Sequence, residues 1–152
     1  MNKYLLDTNT VSFAFDGGCP HRSNVVSRFS ALDDSAVVFV SILTLYELNY
    51  SLSKLPTDMP VTYKRISETI SSLSDQFILL QLSPAGAGLF GRMKAAYQKH
   101  FGINRSTMKH YTIDIMIAAK AVEHNAVLVS NDSFFSKLNK AFPALLVDDW
   151  TK

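Results

Sequence analysis

The residues best suited to chemistry in this sequence are four acids, Asp7, Glu47, Asp114 and Asp132. They are far apart along the chain, yet each follows a short apolar run or opens the helical pattern behind one. Carboxylate oxygens are the ligands that Mg²⁺ and Mn²⁺ prefer, and Mg²⁺ usually keeps several waters beside a few carboxylates. An ion held by such a set can orient and acidify a water and stabilise charge developing on a phosphodiester. No Cys and His set with zinc spacing competes for that role. The histidines are scattered at positions 21, 100, 110 and 124, and none is paired at the i, i+4 spacing of a helical metal motif.

Each acid taken singly also has a purely structural reading. Thr44-Leu45-Tyr46-Glu47 is a capping-box pattern, in which Glu47 bonds back to the start of its helix. Asp114 in a first turn complements the helix dipole, and Asp132 can cap a helix over residues 133–140. Asp7 can cap a helix starting near Thr8. Convergence is what would separate the readings. Several carboxylates at one rim, without interleaved Lys or Arg, repel one another unless a cation holds them.

The elements that must position these acids alternate between two periods. Short β-like runs cover 3–6, 36–40, 77–82, 126–130 and 145–147. Between them lie helical stripes: Val25, Val26, Phe29 and Leu32; Leu45, Leu48, Leu52 and Leu55; Tyr63, Ile66, Ile70 and Leu73; Phe90, Tyr97 and Phe101. Ser83-Pro84 sets a capping hydroxyl before a proline suited to the first helical position. Thr112 is placed to cap a helix through Ile115, Ala118, Ala119 and Val122, and Asn125 suits the left-handed residue closing it. The segment from Pro56 to Pro60 separates two helices. Strands alternating with helices predict an α/β fold with a parallel sheet covered on both faces. In such folds ligands sit outside the carboxyl ends of the strands. On this reading Asp7 ends the first strand, Glu47 and Asp114 lie in first turns of their helices, and Asp132 follows the fourth strand.

Composition bounds the remaining possibilities. The 152 residues are 47% apolar and 18% charged, as in a soluble globular protein, and the length suits one domain over 1–152. No apolar run approaches the roughly 18 residues of a membrane helix. The opening Met-Asn-Lys-Tyr-Leu-Leu-Asp is too short and soon too acidic for the apolar region of a signal peptide. The lone cysteine, Cys19, has no internal disulfide partner, which favours a reducing, cytoplasmic setting. Net charge is only +2, but from Arg92 to His110 there are five Lys or Arg, two His and no acid. That stretch suits phosphate backbone, or alternatively a solvated helix face. Tyr97, Phe101 and Tyr111 could stack on bases there, although residues at the helical spacing of Tyr97 and Phe101 are more often core.

At the four acids the sequence resembles the PIN domain family. Leu5-Leu6-Asp7-Thr8-Asn9 is similar to the opening motif of that family, and Ser41 to Leu48 to its second. Ile113 to Ala121 resembles the third, and Leu128-Val129-Ser130-Asn131-Asp132 the fourth. The motifs occur in order and, with the closing Val147-Asp148-Asp149-Trp150, span nearly the whole chain. The most similar subgroup is the VapC-like toxins of prokaryotic toxin–antitoxin pairs. The resemblance implies a three-layer α/β/α fold and Mg²⁺- or Mn²⁺-dependent endonuclease activity on RNA. Asp7, Glu47, Asp114 and Asp132 fall on the family's acidic, metal-binding positions, and Asn9 and Ser130 on polar positions supporting them. It further implies a homodimer and a small antitoxin that fills the site. Two positions depart from the pattern: Ser51 and Asn125 stand where many of these toxins have Gly. Asn still reaches the left-handed region, so the second departure is mild.

Rival readings are an inactive PIN-like scaffold and another acid-pocket α/β enzyme. A haloacid-dehalogenase-like enzyme would want Asp-x-Asp after the first strand, where this chain has Asp7-Thr8-Asn9. A receiver-type domain would want a strand-end Lys, which Val127-Leu128-Val129-Ser130 does not offer.

Overall fold

A computed structural model describes residues 2–152. Its strands are β1 (Lys3–Leu6), β2 (Val37–Ser41), β3 (Ile78–Leu80), β4 (Val127–Val129) and β5 (Val147–Asp148). Between β1 and β2 run α1 (Thr8–Phe15) and α2 (Arg22–Ser30), and between β2 and β3 run α3 (Ile42–Ser53) and α4 (Pro60–Gln76). The long passage from β3 to β4 holds α5 (Pro84–Phe101), the single-turn α6 (Arg105–Met108), a 3-10 turn (Lys109–Tyr111) and α7 (Thr112–Glu123). Helix α8 (Ser133–Ala141) joins β4 to β5.

All strand pairs are parallel, in the order β3-β2-β1-β4-β5. Strand alternation assigns each register row to one face. Leu5 pairs with Phe39 and Leu128, and all three enter the core beneath α5, α7 and α8 with Met93, Ile115 and Leu138. One residue on, Leu6 pairs with Val40 and Val129, and these meet Val11, Val25, Leu48, Leu73 and Trp150 under α1 to α4. Both faces are therefore covered, and the expected three-layer α/β/α architecture is the one observed. The chain leaves β1 towards β2 on one side and returns to β4 on the other. This topological switch opens a crevice beyond the carboxyl ends of β1 and β4.

Local punctuation agrees with the sequence at several helix ends. Ser83 caps α5 by accepting a hydrogen bond from Gly86 N at 3.1 Å, with Pro84 in the first turn. Gly102 closes that helix at φ 63°, and Asn125 follows α7 at φ 53°, both left-handed. Gly86 has a different duty. A Cβ there would lie 3.0 Å from Glu123 Oε2, so its absence lets α5 sit close to α7 over the ion pair of buried Lys120 with partly buried Glu123.

Three local expectations are corrected. Thr112 is the first residue of α7 rather than its cap, because the 3-10 turn feeds directly into the helix and the Thr112 hydroxyl donates to Lys109 O at 3.1 Å. Helix α3 begins at Ile42, capped by the Ser41 hydroxyl, so Thr44 lies inside the helix and Glu47 in its second turn. The capping box therefore does not form. Tyr63 belongs to no buried stripe: it is 55% exposed, and α4 buries Thr69 and Leu73 instead.

Candidate active site

The crevice at the switch point is built first from β1 and β4. Asp7 N donates to Val129 O at 3.1 Å, and the Thr10 hydroxyl donates to the same carbonyl at 3.0 Å. Asp7 leaves β1 with extended dihedrals and caps α1, its Oδ1 accepting from Thr10 N at 2.7 Å. Its second oxygen, Oδ2, accepts from the Ser130 hydroxyl. Ser130 is buried just past β4; its N–H donates to Asp148 O on β5 at 2.9 Å, and its Oγ accepts from Asp132 N at 3.0 Å. One serine thus ties together the ends of three strands and two of the predicted acids.

Asp132 caps α8 through Oδ1, which accepts from Phe134 N at 2.8 Å. The capping readings of Asp7 and Asp132 are both correct and do not exclude a ligand role. A carboxylate offers about four lone-pair directions, and a cap uses one.

Glu47 arrives from α3. Its Oε2 accepts from the Thr8 hydroxyl, which also lies 3.1 Å from the Thr44 hydroxyl. Thr8 thereby links Glu47 to the start of α1, a role that sequence reasoning missed. The position between Asp7 and Asn9 was the available signal. Asp114 completes the set from the first turn of α7.

All four acids line one cavity of about 190 Å³, with Thr8, Asn9 and Ser51 beside them and Ile117 and Phe135 behind. No Lys or Arg lines it. Of the six predicted site residues, Asp7, Asn9, Glu47, Asp114 and Asp132 therefore reach the cavity, and Ser130 lies behind it holding Asp7. Ser51, noted in the sequence only as a departure, is part of the wall.

The electrostatics follow from this crowding. Burial, followed by the charges of Asp132, Glu47 and Asp7, pushes Asp114 up to about 6. Burial also raises Asp7, against the opposing hydrogen bonds from Ser130 and Thr10. Among the described residues no three His, Cys, Asp or Glu side chains close into a ready-made cage, so the acids share a cavity rather than one ligand shell. That arrangement fits a hard cation that retains waters, and the all-oxygen donor set fits Mg²⁺ or Mn²⁺ rather than a soft metal.

A test of the repulsion follows. A carboxyl raised in the folded state favours folding only while protonated. Its contribution is full below the unfolded value near 4 and is lost as pH rises through about 6. Allowing for Asp114's partial exposure, the displacement is worth about 1–2 kcal/mol. In EDTA, Asp114→Asn should melt above wild type at pH 7 and level with it near pH 4. Equal melting temperatures at pH 7 would show that the acids do not strain the metal-free fold.

Comparison with known proteins places this geometry. Residues 4–141 match the PIN domain family. The chain belongs to that family. Ribonuclease VapC2 of Rickettsia felis is 25% identical to this PIN protein over 98% of each chain. Among solved structures, VapBC2 of R. felis bound to a DNA fragment from their promoter superposes with a TM-score of 0.73 at 20% identity, covering 97% of this chain and 98% of that one. VapBC-1 of nontypeable Haemophilus influenzae gives 0.71 at 23% identity over 99% of each. The PIN fold thus extends over essentially the whole chain, and the protein is related to the VapC toxin ribonucleases. Among the described residues no helix is long and apolar enough to cross a membrane.

The aromatic candidates fare differently. Tyr97 is buried in the core, and Tyr111 stacks on Phe134 with centroids 4.4 Å apart. Neither is free to stack on a base. The basic stretch lies on α5, α6 and the 3-10 turn, with Arg92, Lys99, Arg105 and Lys109 exposed.

Proposed function

We propose that this PIN protein is a metal-dependent endoribonuclease that hydrolyses RNA phosphodiester bonds at the acid cavity, and that it is the toxin of a type II toxin–antitoxin pair. The observation that carries the reading is the convergence of four carboxylates, from four separate elements, on one cavity without a cationic side chain in its lining. Asp7, Glu47, Asp114 and Asp132 would hold Mg²⁺ or Mn²⁺, directly or through water. When bound, the ion supplies positive charge to the phosphodiester and lowers the pKa of a water.

The chain's own residues do the positioning. Ser130 and Thr10 fix the Asp7 carboxylate, so that it needs no reorientation when a substrate arrives. Thr8 restrains Glu47 in the same way. Asn9, exposed at the cavity mouth, offers an amide that can donate to a phosphate oxygen or orient a water. Ile117 and Phe135 form an apolar back wall, which lowers the local dielectric and strengthens each polar contact in front of it.

The toxin role is supported by the relatives' names, since VapC2 is called a ribonuclease and the R. felis and H. influenzae structures are of VapBC pairs. For this chain a small antitoxin partner, a homodimer and a cytoplasmic setting are part of the same proposal. The decisive experiment compares RNA cleavage in Mg²⁺, in EDTA and by Asp114→Ala. Cleavage should require the ion and fall by more than about a hundredfold in the variant, beyond the 10–100-fold typical of outer-shell partners. Cleavage that survives EDTA would overturn the mechanism.

A further inference from the structure

Helix α3 carries a second feature beside the acids. Glu47 and Ser51 line the cavity, and the residue before each is an exposed tyrosine: Tyr46 is 69% and Tyr50 68% exposed. At 100° per residue these four side chains form two adjacent rows, the oxygen row facing the cavity and the aromatic row lying beside it on the solvent arc. One turn further on, Lys54 Nζ lies 5.0 Å from the centre of the Tyr50 ring. The aromatic row therefore ends in a cation, and from Ser41 to Pro56 Glu47 is the sole acid. Ordinary packing does not account for the tyrosines, because the residues α3 buries are Leu43, Thr44 and Leu48, while both rings stay in solvent.

The wall contributed by α7 carries the complementary charge. The segment leading into Asp114 bears exposed Arg105, Lys109 and His110, and among the described residues none of them forms an ion pair. Two of the elements that deliver cavity acids thus carry further recognition groups: α3 the aromatic row beside Glu47, and the segment leading into α7 the unpaired cations ahead of Asp114. Stacking rings combined with backbone-tracking cations are what a protein offers to single-stranded nucleic acid, whose bases can be splayed out. A duplex keeps its bases stacked and cannot use the rings.

We propose that Tyr46 and Tyr50 are the base-stacking platform of this enzyme and that Lys54, Arg105 and Lys109 grip phosphates, so that bases next to the scissile bond leave their stack and rest on the two rings. This rests on the reading of the acid cavity as a phosphodiesterase site. An acidic protein segment would meet the same cations, but each ring stands one residue before a side chain that lines the cavity, Glu47 or Ser51, which favours the substrate itself.

The test uses the full chain carrying Asp114→Asn, in Mg²⁺, so that binding is measured without cleavage. The probe is a short fluorescein-labelled single-stranded RNA of mixed sequence, compared with the same strand annealed to its complement. Tyr46→Ala and Tyr50→Ala should each weaken single-strand binding by about tenfold or more, as expected for loss of one stacked base. Tyr46→Phe and Tyr50→Phe should stay within about twofold, because stacking needs the ring and not the hydroxyl. Joint replacement of Arg105 and Lys109 by Ala should lower the salt slope by roughly 0.7 for each phosphate no longer neutralised. Unchanged binding by the Ala variants, equal losses for single strand and duplex, or no binding of the probe at all would overturn the inference. So would a change from dimer to monomer in the Ala variants with RNA affinity intact, which would assign the rings to a protein interface. Wild-type protein that binds the single strand through the rings yet cuts nothing would sink the nuclease reading alone.

Discussion

Asp7→Asn should remove RNA cleavage by more than about a hundredfold while the protein remains folded and, without metal, becomes more stable. The two effects have opposite signs because the same charge serves one and opposes the other. Asp7 is almost fully buried, and burial raises its carboxyl above the usual range. At pH 7 the folded state must then either carry a poorly solvated anion or take up a proton. Asparagine removes that cost. Its carbonyl can still accept from Thr10 N, preserving the cap of α1. Its amide can donate to Ser130 Oγ, whose two lone pairs also serve Asp132 N. What it cannot do is ligate a hard cation with negative charge. Cleavage rates in Mg²⁺ and melting curves in EDTA read the two effects separately. Asp7→Ala provides the contrast, because it also deletes the cap and should lose about 1 kcal/mol relative to Asn. Wild-type cleavage by Asp7→Asn would remove Asp7 from the ligand set.

The second large effect is structural. Trp150→Ala should destabilise the protein by about 3–5 kcal/mol, lowering the melting temperature by roughly 10 °C. The indole is 2% exposed and packs in the α1 to α4 core with Leu6, Val40 and Val129. Its ring centre lies 5.3 Å from that of Tyr4, and its Nε1 donates to Asp148 Oδ2 at 3.0 Å. It also lines a mainly apolar, partly open cleft of about 310 Å³ with Phe15, Val25 and Phe77. Trp150→Phe keeps most of the apolar volume and should lose about 1–2 kcal/mol, chiefly the hydrogen bond and the smaller ring. The Arg28–Asp148 ion pair, half exposed on both sides, will not compensate. A melting temperature within a degree or two of wild type for Trp150→Ala would mean that this part of the core is not cooperative with the rest. The effect reaches the site through one bond, since Asp148 O holds the Ser130 N–H that precedes Asp132.

Most of the local structure was legible in the sequence because it is written in local patterns. Val37 to Val40 and Val127 to Val129 are Val-rich apolar runs that need no partner to be recognised as strands. Asp7, Ser83 and Asp132 announce helix starts through short side chains that can reach an N–H two or three residues ahead, and each does so. Asn125 announces a left-handed residue for the same reason of chemistry, and it is one. The ordered motifs around the four acids identified the family.

Where two local signals competed, the sequence could not choose. Ser41 and Thr44 are both good caps; Ser41 prevailed because β2 ends there in register with β1 and β3, which starts α3 one residue later. Glu47 was then free to meet Thr8, a partner 39 positions away. Tyr97 and Tyr46 are equally aromatic, yet the first faces α7 and α8 in the core while the second has nothing above it. Strand order is likewise a long-range property. Only the placement of β1 between β2 and β4 brings Asp7 beside Ser130 and Asp132 and lets α3 and α7 deliver Glu47 and Asp114 to the same crevice. Two of the four acids, Asp7 and Asp132, are helix caps, and the fold makes all four neighbours. The sequence by itself determined which residues carry charge and where most elements begin. Tertiary structure decided which charges share a cavity, because that depends on pairings between segments up to 123 residues apart that no local pattern encodes.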